Sequence, residues 1–309
     1  MIWKRLHDFR HMNLHMGSRF FSILRKINQA GIALGGNKAA SVAENKMTPR
    51  KIRYFNTPLV EHCNLKCCGC DHFAPLAKPV FADPKIFERD AARLSTLLDG
   101  DVETIGLMGG EPLLHPQASA FCAIARTYFP QTRIRIVSNG ALLLKQKEDF
   151  WKACRDNSII LEITKYPIRL KFEKMKEVCA AKGVTFEFRG QTGDVEKTSY
   201  HMPLDLEGRQ DARKNFVKCF HANVTVSLKE GRLYPCTIVP NIRHFNNYFH
   251  LRLPVTDRDS IDIHQARSAG ELFEFLCKPL PFCRFCLIEK RTYGHAWKRS
   301  RKDIKEWTI

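Results

Sequence analysis

The chain reads as an α/β protein. The expected fold is a partial (β/α) TIM-like barrel of about five to six parallel strands, followed by a small C-terminal unit of β-hairpin and helix. Three observations predict it. Short apolar runs alternate with amphipathic helical stretches from about residue 52 onward, which implies parallel strands joined by crossover helices. Cys63, Gly110, Asn139 and Lys165 each fall just after a predicted strand end, the face on which such barrels carry their sites. After about residue 205 the alternation stops, and a Glu-Gly turn between β-formers marks a hairpin.

The elements follow in order. Strands are expected over 53–60, 103–108, 133–137, 159–164 and 185–188, with helices over 84–98, 116–129, 145–156 and 171–182. The third strand runs into Ser138-Asn139-Gly140, a turn-forming triplet. The fourth ends at Thr164-Lys165-Tyr166-Pro167, where proline stops the strand. The segment Val224-Thr225-Val226-Ser227-Leu228-Lys229-Glu230-Gly231-Arg232-Leu233-Tyr234-Pro235 is the hairpin. Domain limits are drawn at 1–50 (a basic helical extension and linker), 51–205 (the barrel), 206–290 (the hairpin unit) and 291–309 (a basic tail).

At 309 residues, 44% of them hydrophobic, the chain suits one large and one small unit of a globular protein. No apolar run approaches the roughly eighteen residues that span a bilayer, and no signal-peptide core is visible. The 12 cysteines are clustered, so metal ligation in the cytoplasm is expected rather than disulfides. The net charge is +18, with nine Lys/Arg against two acids in residues 1–50. A charge of this sign suits a phosphorylated substrate, an acidic electron donor, an anionic membrane surface or simply a basic exterior. Phe20, Phe21, Ile23, Leu24 and Ile27 recur at helical spacing beside Arg19, Arg25 and Lys26, so this helix packs on the body or lies on a membrane. Neither terminus carries a nucleic-acid motif.

Chemistry concentrates in two cysteine sets. The first is Cys63, Cys67 and Cys70 in Glu61-His62-Cys63-Asn64-Leu65-Lys66-Cys67-Cys68-Gly69-Cys70-Asp71-His72. Iron–sulfur clusters normally take four cysteines, so three on one loop leave one iron open. About forty residues on stands Ile105-Gly106-Leu107-Met108-Gly109-Gly110-Glu111-Pro112. The two motifs together resemble the radical S-adenosylmethionine (SAM) superfamily. The resemblance implies a 4Fe-4S cluster on Cys63, Cys67 and Cys70, with SAM chelating the open iron. It places Gly109, Gly110 and Glu111 against the SAM amino group, Ser138 and Asn139 at its ribose or carboxylate, and Thr164 and Lys165 near SAM or substrate. The family often has an aromatic residue just before the last cysteine; this chain has Gly69.

The second set is Cys219 and Cys236, which flank the hairpin, with Cys283 and Cys286 on a C-x2-C knuckle. By spacing alone, four such thiols suit zinc or a cluster. Within the superfamily they resemble the twitch domain, the short form of the SPASM domain, which implies one auxiliary 4Fe-4S cluster with an electron-transfer role. Of the other cysteines, Cys122, Cys154 and Cys179 fall on predicted helices as buried structural thiols, and Cys68 points away from the ligands. Cys277 is a candidate hydrogen-atom donor or a replacement ligand.

The resemblance implies reductive cleavage of SAM to a 5′-deoxyadenosyl radical, fed by a flavodoxin- or ferredoxin-type donor. The substrate radical is then oxidised, quenched from the other face or loses a leaving group. Asp71, His72, Lys165, Arg189 and Asp194 are the charged candidates near the mouth, with His72 or Arg189 as base for an alcohol oxidation. The leading reading is an oxidoreductase or epimerase of a sugar, cyclitol or nucleotide-linked sugar. The alternative is a maturase of a ribosomally made peptide, although residues 1–50 are too short for the usual winged-helix recognition module.

Overall fold

The computed structural model describes residues 51–189 and 196–309. The N-terminal extension and Asp194 lie outside the described residues.

Five parallel strands form the centre: β1 (Ile52–Val60), β2 (Val102–Gly109), β3 (Arg133–Ser138), β4 (Ile160–Ile163) and β5 (Thr185–Phe188). Their register aligns one row of apolar side chains, Leu107↔Ile136↔Leu161↔Phe186, on a single face. Helices α1 (Pro84–Leu98), α2 (Ala118–Tyr128), α3 (Glu148–Asp156) and α4 (Phe172–Ala181) connect the strands. Asp83 caps α1 by accepting the Lys85 N–H, and Pro84 sits where a helix has no partner for its N–H. Phe87, Ala91, Leu94 and Leu98 then recur at helical spacing and are buried. They share one core with Leu107, Ile136 and Leu161, and with Cys122, Cys154 and Cys179, whose residues are 0% exposed. Each large apolar side chain so buried contributes about 1.5–3 kcal/mol. These three thiols are structural, as expected.

The opposite face is polar. Asn56, Gly106 and Arg135 occupy one register row. Gly106 has no side chain because a Cβ there would stand 2.4 Å from the Tyr54 hydroxyl.

The hairpin β7 (Val226–Lys229) and β8 (Arg232–Tyr234) extends this sheet. β7 pairs parallel with β1 through Phe55↔Val226 and Asn56↔Ser227. It therefore supplies a sixth parallel strand on the far side of β1, and β8 and β9 (Ile261–Asp262) continue antiparallel in the order β5-β4-β3-β2-β1-β7-β8-β9. The sheet is thus continuous across residue 205. Glu230 and Gly231 turn with φ of 50° and 75°, the two left-handed positions that a tight hairpin needs. The Asp90 carboxylate on α1 accepts the Gly231 N–H at 2.5 Å and fixes the turn to the barrel.

A second core lies beyond the strand ends. It joins Phe73, Leu204, Ile242 and Phe245 with Phe282, Phe285 and Trp307. The remaining elements are β6 (Ser199–His201), α5 (Ala212–Lys218), α6 (Ile242–Phe249), α7 (Ala269–Leu276) and β10 (Thr292–His295), with β6 and β10 paired antiparallel; α6 packs into this second core, α7 buries Leu272 and Leu276 in the first, and α5 buries Phe216 in a small third cluster with Cys219 and Ala222. Among the described residues, no helix is long and apolar enough to cross a membrane.

Candidate functional site

The loop after β1 carries Cys63, Cys67 and Cys70, and the turn after β2 holds it in place. The Gly110 N–H donates to the Val60 carbonyl at 2.6 Å, and the Glu111 N–H donates to the His62 carbonyl at 3.1 Å. The two glycines permit this approach. Gly109 has φ +127°, and a Cβ on it would stand 2.3 Å from the Val60 oxygen; one on Gly110 would stand 1.9 Å from the His62 oxygen. Their closest neighbour is therefore the cysteine loop itself.

Glu111 is 1% exposed. Its carboxylate accepts from the Ser138 hydroxyl at 2.7 Å, the Asn139 N–H at 2.9 Å and the Leu113 N–H at 3.1 Å. Burial pushes its pKa up to about 7, against the pull of these donors. Ser138 also accepts the Gly140 N–H at 2.9 Å. Glu111 and Ser138 thus weld the ends of β2 and β3 together. Asn139 reaches the loop: its amide donates to Asn64 Oδ1 at 2.8 Å and lies 3.8 Å from Cys63 Sγ.

The far side of the loop meets the C-terminal tail. Cys67 and Arg299 form an antiparallel bridge. The Cys68 N–H donates to the Lys298 carbonyl at 3.0 Å, and the Ser300 N–H donates to the Lys66 carbonyl at 2.8 Å. The Trp297 indole N–H donates to Cys67 Sγ at 3.1 Å, and the Cys67 thiol donates to the Tyr166 hydroxyl oxygen at 3.6 Å. The Trp307 indole donates to the Cys70 carbonyl at 2.9 Å. Gly69, the residue without the family's aromatic side chain, has φ +63°, and its Cβ would meet the carbonyls of Glu306 at 3.3 Å and Tyr200 at 3.4 Å. Residues 291–309, expected as a basic tail, are a wall of this site. The signal in the sequence was composition: two of the chain's 4 tryptophans lie in these residues. Burial beside Glu306 pushes Cys68 up to about 11.

Cys219, Cys236, Cys283 and Cys286 line one cavity with Asn215, His221 and Arg291. The Asn215 amide donates to the carbonyls of Cys283 at 2.8 Å and Cys286 at 2.6 Å, holding the knuckle. Arg291 donates to Cys219 Sγ at 3.4 Å. Burial, and then the neighbouring thiols, push Cys236 and Cys283 up to about 12. Burial likewise pushes Cys63 up to about 12. Apoprotein thiols in such surroundings are protonated, so loading a metal must displace protons. Among the described residues no group of three or more His, Cys, Asp or Glu side chains is arranged to hold a single metal ion. The four thiols of the second set line one cavity, and N–H donors are aimed at sulfur in both sets, Trp297 at Cys67 and Arg291 at Cys219, as suits anionic sulfur.

Other candidates fall out differently. Cys277 caps the end of α7, its N–H bonded to Phe273, and is not among the residues that line the four-thiol cavity. Arg189 lies 3.6 Å from Glu162, which also pairs with Arg135 at 2.9 Å. A guanidinium stays protonated, so Arg189 offers a positive charge and not a base. His72 is buried with Asn241 at 3.5 Å from Nδ1, and burial pushes its pKa down, so the ring stays neutral and able to accept a proton. Asp71 is half-buried and accepts from Tyr200 at 2.9 Å and Thr237 at 3.2 Å. Lys165 follows β4 and its carbonyl accepts the Lys197 N–H at 2.7 Å.

The sequence reading missed Glu61. It lies two residues before Cys63, 8% exposed, and pairs with Lys229 at 2.7 Å, Arg243 at 2.8 Å and His244. Burial pushes Glu61 up, but His244, Lys229 and Arg243 outweigh it and hold the carboxyl well below its usual range. This knot ties the thiol loop to β7 and α6.

No family model matches the chain. It is 29% identical over 104 residues to a GTP 3',8-cyclase of Campylobacter jejuni subsp. doylei, covering 34% of this chain and 32% of the relative. It is 32% identical over 127 residues to the S-adenosylmethionine-dependent nucleotide dehydratase RSAD2 of Siniperca chuatsi, covering 39% of this chain and 32% of the relative. The chain spans about a third of the length of these curated relatives. Among solved structures it is similar to BtrN in complex with AdoMet and 2-DOIA, with a TM-score of 0.47 and 15% identity over 77% of this chain and 94% of that one. Streptococcus suis SuiB bound to S-adenosylmethionine gives a TM-score of 0.38 at 14% identity over 55% and 44%. The class defined by fold and site is an α/β partial barrel with thiols at its mouth. With the Cys63–Cys67–Cys70 loop, the Gly-Gly-Glu turn and the curated relatives, the chain resembles the radical SAM superfamily.

Proposed function

We propose that this protein is a radical SAM oxidoreductase or epimerase acting on a sugar, cyclitol or nucleotide-linked sugar. One observation carries the reading: two separate thiol sets, three on one loop and four around one cavity. Cys63, Cys67 and Cys70 would hold a 4Fe-4S cluster with one open position, and Cys219, Cys236, Cys283 and Cys286 would hold a closed auxiliary one. When bound, the first cluster and SAM supply a 5′-deoxyadenosyl radical that takes a hydrogen atom from the substrate.

The chain's own residues do the rest. Gly109 and Gly110 let the loop seat against the β2 turn, and Asn139 fixes it at Cys63. Arg135 and the exposed Arg189 around Glu162 set two cations against one carboxylate, which suits an anionic or hydroxyl-rich substrate. His72, neutral and buried, is the group suited to take a proton from an alcohol. A closed second cluster favours oxidation, since it can receive an electron without releasing a ligand. The relatives' names, a GTP cyclase and a nucleotide dehydratase, support a nucleotide-linked substrate.

The test is anaerobic reconstitution followed by incubation with SAM, dithionite and nucleotide sugars. Roughly eight irons per chain are expected, with 5′-deoxyadenosine formation raised by one sugar class and a product two hydrogens lighter than that sugar. A product of unchanged mass in ordinary water that gains one deuterium in deuterated water selects epimerisation. Stimulation by peptides and by no sugar would overturn the reading.

A further inference from the structure

We infer that Trp297, carried in by the C-terminal tail, is a positioning residue that sets the reduction potential of the cluster on Cys63, Cys67 and Cys70. The inference rests on the reading of those thiols as cluster ligands.

Three observations carry it. The Trp297 Nε1–H donates to Cys67 Sγ at 3.1 Å, and the Tyr166 hydroxyl lies 3.6 Å from the same sulfur. The two rings pack edge to face at 5.6 Å, so Tyr166 holds the Trp297 donor in place. The tail cannot drift from the loop. It is bonded on both sides of Cys67, at Lys66 to Ser300 and at Cys68 to Lys298, and Trp307 anchors it again at the Cys70 carbonyl. Gly69 is the matching concession in the loop, since a side chain there would strike the Glu306 carbonyl. Residues more than 220 positions apart are thus fitted to one another at the sulfur of a single candidate ligand.

The physical consequence follows from charge. Reduction adds one electron to a cluster, and hydrogen bonds to its sulfurs and exclusion of solvent both shift its potential. An indole N–H directed at a ligating thiolate stabilises the more negative, reduced state and so raises the potential. Trp297 takes no part in bond making. Its effect is on how readily the site accepts the electron.

The experiment uses the full chain, reconstituted without oxygen, with the potential of the SAM-site cluster followed by its electron paramagnetic resonance signal. Trp297→Phe keeps the ring and loses the donor. We expect the midpoint to move to a lower potential with iron content and signal shape kept. Trp307→Phe, which loses a bond to a carbonyl and not to a sulfur, should leave the midpoint unmoved. A midpoint equal to wild type in Trp297→Phe, with iron retained, overturns the inference and leaves the cluster reading intact. Iron content unaffected by Cys63→Ala overturns both. Should Trp297→Phe lose iron, alkylation of the apoprotein decides. Cys67 reacting faster in Trp297→Phe than in wild type supports the docking, and equal rates overturn it.

Discussion

The two thiol sets are built in opposite ways. Cys63, Cys67 and Cys70 come from eight consecutive residues, but the groups around them come from everywhere: the β2 turn, Asn139, Tyr166, Trp297 and Trp307. Cys219, Cys236, Cys283 and Cys286 are scattered in sequence and meet only in the fold, yet they are held by near neighbours, Asn215 and Arg291. A local ligand loop needs distant walls, because one short loop cannot enclose itself. A dispersed set encloses itself by meeting.

The comparison is broken most decisively at the thiols. Cys63→Ala should abolish SAM cleavage, while Cys286→Ala should lose about half the iron and keep cleavage of SAM in the absence of substrate turnover, given roughly four irons per cluster. Equal loss of cleavage in both, at equal protein stability, would show that the two sets do not act separately.

Next in size are the supports. Gly110→Ala forces a Cβ onto the His62 carbonyl at 1.9 Å, a backbone atom that cannot yield, and should cost at least about 3 kcal/mol in urea unfolding. Gly294→Ala, also at positive φ (79°) but with nothing within 4 Å, should cost about 1 kcal/mol. Similar costs for the two would mean that loop and turn are not packed as described.

A further effect concerns pH. Glu61 is held ionised, so its folded pKa lies below its unfolded value of about 4.5. Its contribution is fully present above that value and is lost as pH falls through the depressed folded pKa. Wild type should therefore lose stability on acidification below about pH 4.5 more steeply than Glu61→Gln, which should already be weaker at pH 7 by about 3 kcal/mol because Lys229 is left buried with its carboxylate partner neutralised. Parallel pH profiles would assign the knot no role in stability.

Much of this was legible in the sequence. The strand over 185–188 and the helix over 84–98 were read to their observed limits, because apolar periodicity and the Asp-Pro start are local signals. Other ends shifted by a residue or more: the third helix starts at Glu148, since residues 143–145 form a separate short turn. The convergence of the four scattered cysteines was legible from their spacing about the hairpin. Where β7 goes was not, since strand pairing depends on which edge is free, and the edge of β1 is 170 residues away.

The sequence by itself determined the superfamily resemblance, the order of the elements and which thiols stand ready, because each of these is written in neighbouring residues. Only the tertiary structure decided that the hairpin completes the sheet, that Arg189 is paired with Glu162, that Cys277 caps a helix, and that a basic tail walls the thiol loop. Those outcomes turn on burial and on contacts between distant segments, and no local pattern records which distant surface will be there to receive a side chain.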